Sequence, residues 1–110
     1  MRKVAGKNWA GYINEQSPVH ASGSVDGYPW YFRVRRDAWF MEIAEDQEIE
    51  CEKLPLVGYG TGGWLFEENW TSGREVGHME TETALKFIQK TVDLFRERKL
   101  DYIPTVTSNC

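Results

Sequence analysis

The chain has little of what most catalytic and metal-binding sites are built from. Its 110 residues include two histidines and two cysteines, and the cysteines do not stand at a spacing used by disulfide frameworks or zinc sites. We therefore expect Cys51 and Cys110 to be free thiols, and we predict no metal and no other cofactor. No nucleophile motif accompanies His20 or His78, so the sequence favours a non-catalytic protein.

Long apolar runs are absent as well. No segment approaches the roughly 20 apolar residues of a membrane-spanning helix, and the basic start Met1–Ala10 lacks the apolar stretch of a signal peptide. The sequence thus predicts a cytoplasmic protein without a membrane partner. The net charge of −4 argues against nucleic acid as a partner, because a surface of this sign repels phosphate on average.

Aromatic side chains are what the sequence has in excess, with five Trp, five Tyr and five Phe. Such residues dominate protein cores and binding surfaces alike. A hydrophobic fraction of 41% and a charged fraction of 27% are typical of a globular chain, and this length supports one core. We predict a single domain over 1–110, with a frayed start at 1–8.

Two turns predict the centre of an antiparallel sheet. Asp26-Gly27 favours a two-residue hairpin, because both residue types tolerate the positive φ of a type I′ turn. Strand partners then have numbers that sum to about 53, and a second turn near Arg36-Asp37 gives partners that sum to about 73. Both registers bury the same face of residues 28–35, and this agreement supports a β-meander.

Residues 80–103 switch to the helical period. On a wheel from Thr81 to Lys99 the apolar side chains fill one half, which fits a helix packed across a sheet. Thr81 is the predicted N-cap, and Pro104 closes the segment. The predicted fold class is α+β, an antiparallel β-meander of three to five strands with one C-terminal amphipathic helix on one face. The predicted core consists of Trp30, Phe32, Val34, Trp39, Met41, Ile43, Ala84, Ile88, Val92 and Phe95.

The remaining segments carry weaker signals. Trp9–Ile13 is a candidate strand, and Leu56-Val57 and Trp64–Phe66 are candidate fourth and fifth strands around the loop Gly58–Gly63. That loop has the G-x-G-x-x-G spacing of dinucleotide sites, but no helix start follows it. We interpret it as a strand connection, or as a flap that closes over a ligand with Tyr59 or Trp64 as its lid. The carboxylates between residues 42 and 52 indicate a solvated surface, with a hard cation or a basic partner as alternatives.

The predicted outer face of the sheet collects aromatic, cationic and hydroxyl groups. Three interpretations stay open: a cross-strand lattice in which Arg33 covers Phe40, a subunit interface, or a ligand site. The candidate ligand-binding residues are Tyr31, Arg33, Arg35, Phe40, Glu42, Tyr59 and Trp64.

From these features we expect a small non-catalytic binding or protein-interaction module that forms a homodimer and has room for a small-molecule ligand. One alternative is a small enzyme that uses Tyr31, Glu42 and His20 around a pocket closed by the glycine-rich loop. A second is stacking of single-stranded RNA on Tyr31 and Phe40, which predicts strongly salt-dependent binding.

The hairpin segment also carries a family resemblance. The stretch Pro29–Arg35, followed by Trp39 and Glu42–Ala44, resembles a recurring hairpin of small bacterial proteins of the kind carried on mobile integron gene cassettes. The likeness covers about sixteen residues of this chain. The resemblance implies a compact α+β domain, often dimeric, and it transfers no catalytic residue.

Overall fold

The computed structural model describes residues 1–45, 62–71, 73 and 76–104. In these ranges the chain forms an α+β fold in which seven antiparallel strands make one sheet, in chain order, and one helix lies near the C-terminal end. Each strand pairs with its neighbours in sequence, so the sheet is a meander. The elements are β1 Arg2–Gly6, β2 Trp9–Asn14, β3 His20–Val25, β4 Tyr28–Val34, β5 Ala38–Ala44, β6 Gly63–Asn69, α1 Thr81–Arg96 and β7 Asp101–Ile103.

The prediction of three to five strands was too low, because it missed both edge strands. β1 occupies the start that we expected to be frayed, and it pairs with β2 through a turn in which Asn8 has a φ of 73°. β7 lies inside the segment assigned to the helix. Val4 is the one buried side chain of β1, and β7 has none. Edge strands with so little burial lack the alternation that identifies inner strands.

Both predicted hairpin registers are confirmed. Asp26 and Gly27 have φ values of 51° and 83°, as a turn of this type requires. β3 and β4 pair at the predicted register, with Gly23 facing Trp30, and β4 and β5 pair at theirs. Turn chemistry and apolar alternation therefore specify the three central strands.

Two of the weaker strand predictions are also confirmed. Trp9–Ile13 lies within β2 and Trp64–Phe66 lies within β6. Leu56-Val57 lies outside the described residues, as do Cys51 and Cys110.

The core lies between α1 and one face of the sheet. Nine of the ten predicted core residues are buried, and Phe95 is partly buried at the edge of the cluster. The core extends to the first three strands through Val4 of β1, Trp9 and Ile13 of β2, and Ala21 and Val25 of β3. The core is therefore broader than predicted, because the sheet has more strands to cover.

The helix is shorter than the predicted segment, and its N-cap lies one residue before the predicted cap Thr81. Glu80 is the N-cap residue and makes no side-chain cap hydrogen bond. The Thr81 hydroxyl instead donates a hydrogen bond to the carboxylate of Glu15. A tertiary contact has thus replaced the local cap that the sequence favoured.

Gln89 connects α1 to the first hairpin. Its side-chain oxygen accepts hydrogen bonds from Trp9 Nε1 at 2.8 Å and from the Lys7 backbone N–H at 2.9 Å. Its amide nitrogen donates to the Lys7 carbonyl at 3.1 Å. The turn between β1 and β2 is therefore held against the helix.

In the described part of the chain no helix is both long and apolar enough to cross a membrane.

Candidate ligand-binding site

The predicted outer face forms, but its central side chains are not open to solvent. Phe40 and Glu42 on β5 are only 7% and 8% exposed. The guanidinium carbons of Arg33 and Arg35 lie 5.4 and 4.9 Å from the centre of the Phe40 ring. This is the cross-strand lattice in which cationic side chains cover an aromatic ring, and it leaves Tyr31, Arg33 and Arg35 as the accessible groups.

Glu42 is an unusual residue on that face. Burial raises the pKa of its carboxyl group from 4.5 to about 7, although the charges of Arg33 and Arg35 lower it. Its Oε2 atom is buried, and it has no hydrogen-bond partner among the described residues. A carboxyl group in this environment is protonated more readily than an exposed one, since loss of water penalises the charged form.

The three groups of the catalytic alternative are not joined into one acid–base chain. Tyr31 is the register partner of Glu42, but its ring stacks on His20, with centroids 6.2 Å apart and an angle of 16°. His20 Nε2 lies 3.0 Å from Asn14 Nδ2. The Tyr31 ring is therefore paired with His20, and the unpartnered oxygen of Glu42 receives no hydrogen bond from it.

The two remaining candidate residues do not join the outer face in the described structure. Tyr59 lies outside the described residues, as do most of the glycine-rich loop and the acidic run from Asp46 to Glu52. Trp64 faces the other side of the sheet, because its register partner is the core residue Ile43. Among the described residues no three His, Cys, Asp or Glu side chains lie close enough to share a metal ion.

Trp64 instead belongs to an aromatic cleft of about 490 Å³, between the C-terminal end of α1 and strands β6 and β7. Its ring lies 4.8 Å from Phe95, 5.8 Å from Tyr28 and 5.5 Å from Tyr102, measured between centroids. The Phe95 and Tyr28 contacts are edge-to-face, and the Tyr102 contact is tilted by 53°. None of these four rings is stacked flat on another, and each keeps part of its surface accessible.

Charged side chains stand at the rim of this aromatic cleft. Arg96 forms an ion pair with Asp26, and the Tyr102 hydroxyl donates a hydrogen bond to the Glu45 carboxylate. That hydrogen bond raises the pKa of the Tyr102 hydroxyl. Arg98 also lines the cleft, and its guanidinium has no hydrogen bond or ion pair in the described part of the chain.

A shallower groove of about 460 Å³ lies on the outer face. Its lining includes Gly11, Tyr12, Gly23 and Pro29. Tyr12 is 52% exposed there, close to the 51% of Tyr102 in the aromatic cleft. The two tyrosines therefore lie on separate surfaces, and their side chains are almost equally exposed.

Sequence reasoning did not find the aromatic cleft, although it singled out Trp64. It assigned Phe95 to the core and gave Arg96, Arg98 and Tyr102 no role in a ligand site. The cleft brings together residues from near positions 26, 64 and 100. The pairing of β6 with β7 places Tyr102 beside Trp64, and the packing of α1 adds Phe95. The short edge strand β7 carries no pattern that reveals this arrangement.

Comparison with known proteins adds no assignment, since no family model, curated protein or solved structure matches the chain. The resemblance to proteins of integron gene cassettes stays a prediction.

Proposed function

We propose that this protein is a small non-catalytic binding module that holds a planar aromatic molecule in the aromatic cleft. One observation carries the proposal: Tyr28, Trp64, Phe95 and Tyr102 surround a cleft of about 490 Å³. Sites for small organic ligands are concave, mostly apolar and roughly 300–1,000 Å³ in volume. The cleft has this size, and its lining combines four aromatic rings and Leu100 with the charged side chains of Asp26, Arg96 and Arg98.

The exposure of the rings supports the same proposal. All four are partly or largely accessible, and Tyr102 is 51% exposed. Keeping aromatic surface in water costs free energy, which a ligand recovers when it covers that surface. Removal of one stacked aromatic side chain typically weakens binding by about tenfold or more. A planar ligand therefore gains most from contact with these rings.

The test uses an uncharged aromatic probe, naphthalene-2-carboxamide, and a matched pair of variants. Tyr102→Ala removes a ring from the aromatic cleft, and Tyr12→Ala removes an equally exposed ring from the outer face. We expect the wild type to bind the probe with a dissociation constant of about 1 mM or tighter. Tyr102→Ala weakens binding about tenfold, and Tyr12→Ala leaves it unchanged. Tryptophan fluorescence and thermal shift measure both.

Two results would contradict the proposal. One is no binding of the probe at millimolar concentration. The other is loss of binding in Tyr12→Ala but not in Tyr102→Ala, which would move the site to the outer face. Light scattering on the same samples tests the homodimer that the sequence predicts, for which Tyr31, Arg33 and Arg35 are accessible candidate residues on the outer face.

A small enzyme is the second candidate, and one observation favours it. The pKa of Glu42, about 7, is close to the value that suits a general acid or base at neutral pH. The carboxyl group is buried, however, and Tyr31 stacks on His20. The binding module has the stronger support because its groups already surround one cleft.

A further inference from the structure

The residue Arg98 occupies a backbone position that glycine normally takes. It follows the last turn of α1 with a φ of 59°. Its backbone N–H bonds to the Phe95 carbonyl at 3.1 Å, and the Lys99 N–H bonds to the Leu94 carbonyl at 2.9 Å. This pair of hydrogen bonds is the Schellman motif, whose left-handed residue is usually glycine because a Cβ atom is unfavourable there.

The strained position also places Arg98 at the wall of the aromatic cleft. The other charged groups of the wall are paired, since Arg96 bonds to Asp26. Glu45, next to the cleft, accepts the hydrogen bond of Tyr102. Arg98 is thus the cationic group that lines this cleft without an ion pair among the described residues, in a chain whose net charge is −4.

Building on the proposed function, we infer that the ligand of the aromatic cleft is a planar aromatic anion, a ring system that carries a carboxylate or a phosphate group. The rings of Trp64 and Tyr102 contact the flat part of the ligand, and the Arg98 guanidinium binds its anionic group. A guanidinium presents a planar array of N–H donors that matches two oxygens of a carboxylate or phosphate. The neutralised Asp26 leaves the lining with a surplus of one positive charge.

The backbone at Arg98 provides a variant that separates binding from folding. Arg98→Gly removes the guanidinium and at the same time relieves the left-handed strain. We expect this variant to melt at the same temperature as the wild type or higher. Lys99→Gln is the matched control, because it removes a neighbouring positive charge that does not line the cleft.

The experiment compares naphthalene-2-carboxylate and 2-naphthyl phosphate with the neutral naphthalene-2-carboxamide, by isothermal titration. We expect both anions to bind the wild type about tenfold more tightly than the carboxamide, because hydrogen bonds to charged groups are the stronger kind. Arg98→Gly abolishes that preference, so that the anions bind this variant no more tightly than the carboxamide does. Lys99→Gln retains the preference, and added salt weakens the anions selectively.

Failure of this inference differs from failure of the proposed function. Equal affinity for the carboxamide and the anions, or an anion preference that survives in Arg98→Gly, would overturn the role of Arg98 while the aromatic cleft remains a binding site. Tighter binding of 2-naphthamidinium than of either anion would overturn the assigned charge. No binding of any of the four compounds would overturn the proposed function as well.

Discussion

Glu42 carries a carboxyl group that the fold removes from water without giving both oxygens a hydrogen-bond partner. It is 8% exposed, and its Oε2 atom is unpartnered within the described structure. Arg33 and Arg35 lie near enough to lower its pKa, but burial dominates and raises it to about 7. At neutral pH the protein therefore keeps a group whose charged form is unfavourable in the folded state.

This environment makes the stability depend on pH in a defined direction. The pKa of Glu42 is higher in the folded protein, about 7, than the reference value of 4.5, so folding takes up a proton between these values. The free energy of unfolding then falls as pH rises from about 4.5 to above 7, by roughly 3 kcal/mol. Glu42→Gln removes this loss. We expect the variant to gain stability relative to the wild type between pH 5 and pH 8, measured by urea denaturation.

Glu67→Gln is the control for this prediction. Glu67 lies on the neighbouring strand, on the same face of the sheet, and is exposed. Its replacement by Gln therefore removes one negative charge, as Glu42→Gln does, but from a solvated carboxylate. A stability difference between Glu42→Gln and the wild type that stays constant across this pH range would contradict the assigned environment.

At the scale of elements, the contact between β2 and β3 depends on two glycines that face each other. Gly11 and Gly23 are register partners. A Cβ atom at Gly23 would overlap the Ala10 carbonyl oxygen and lie 2.6 Å from the Gly11 Cα. In the structure the nearest atoms belong to the backbone of β2, so the glycine permits close approach of two strands.

Gly23→Ala is therefore expected to destabilise the protein by about 2–3 kcal/mol, because backbone must move to accept the methyl group. The measurement is the midpoint of urea denaturation. Gly73→Ala is the comparison, since Gly73 has a φ of 73° and nothing within 4 Å of an added Cβ. Its replacement costs about 1 kcal/mol, from backbone conformation alone. Equal costs for the two variants would show that β2 and β3 are not in close contact.

The helix shows how far local signals reach. Apolar periodicity correctly predicted Ala84, Ile88 and Val92 as its buried face. It also extended the helix beyond Arg96, its last residue, because basic residues near a C-terminus are favourable wherever the helix ends. Arg98 and the strand β7 follow instead. Periodicity thus identifies the face of a helix more reliably than its last turn.

At the scale of the whole molecule, Gln89 of α1 connects the N-terminal hairpin to the C-terminal helix. Its side chain bonds to the Lys7 backbone and to the Trp9 indole, across separations of 82 and 80 residues. The first hairpin therefore depends on a helix that is synthesised long after it.

Gln89→Ala removes these hydrogen bonds and leaves Trp9 Nε1 without its acceptor. We expect a loss of about 1–2 kcal/mol in the free energy of unfolding. Hydrogen exchange of β1 and β2 amides should accelerate more than that of β4 and β5, because the first hairpin opens locally. Lys86→Ala, at an exposed position of the same helix, is the control. Uniform acceleration across the sheet would contradict a local role for Gln89.

The amino-acid sequence by itself determined the centre of this protein. The Asp26-Gly27 turn, the alternation along 19–43 and the apolar face of residues 84–95 specify three strands, their registers and a helix that covers them. These features follow from contacts between residues close in sequence, where turn conformation and periodicity suffice.

The tertiary structure alone decided the edges and the surfaces that depend on them. β1 pairs with β2 and β7 pairs with β6, although these two edge strands have almost no buried side chains. The burial of Glu42 and the aromatic cleft around Trp64 both require groups that are distant in sequence to meet. Contacts between residues distant in sequence depend on packing geometry, which no local sequence pattern encodes. The composition shows an excess of aromatic residues, but it does not show which of them share a site. Four of them form the aromatic cleft because β7 pairs with β6 and places Tyr102 beside Trp64.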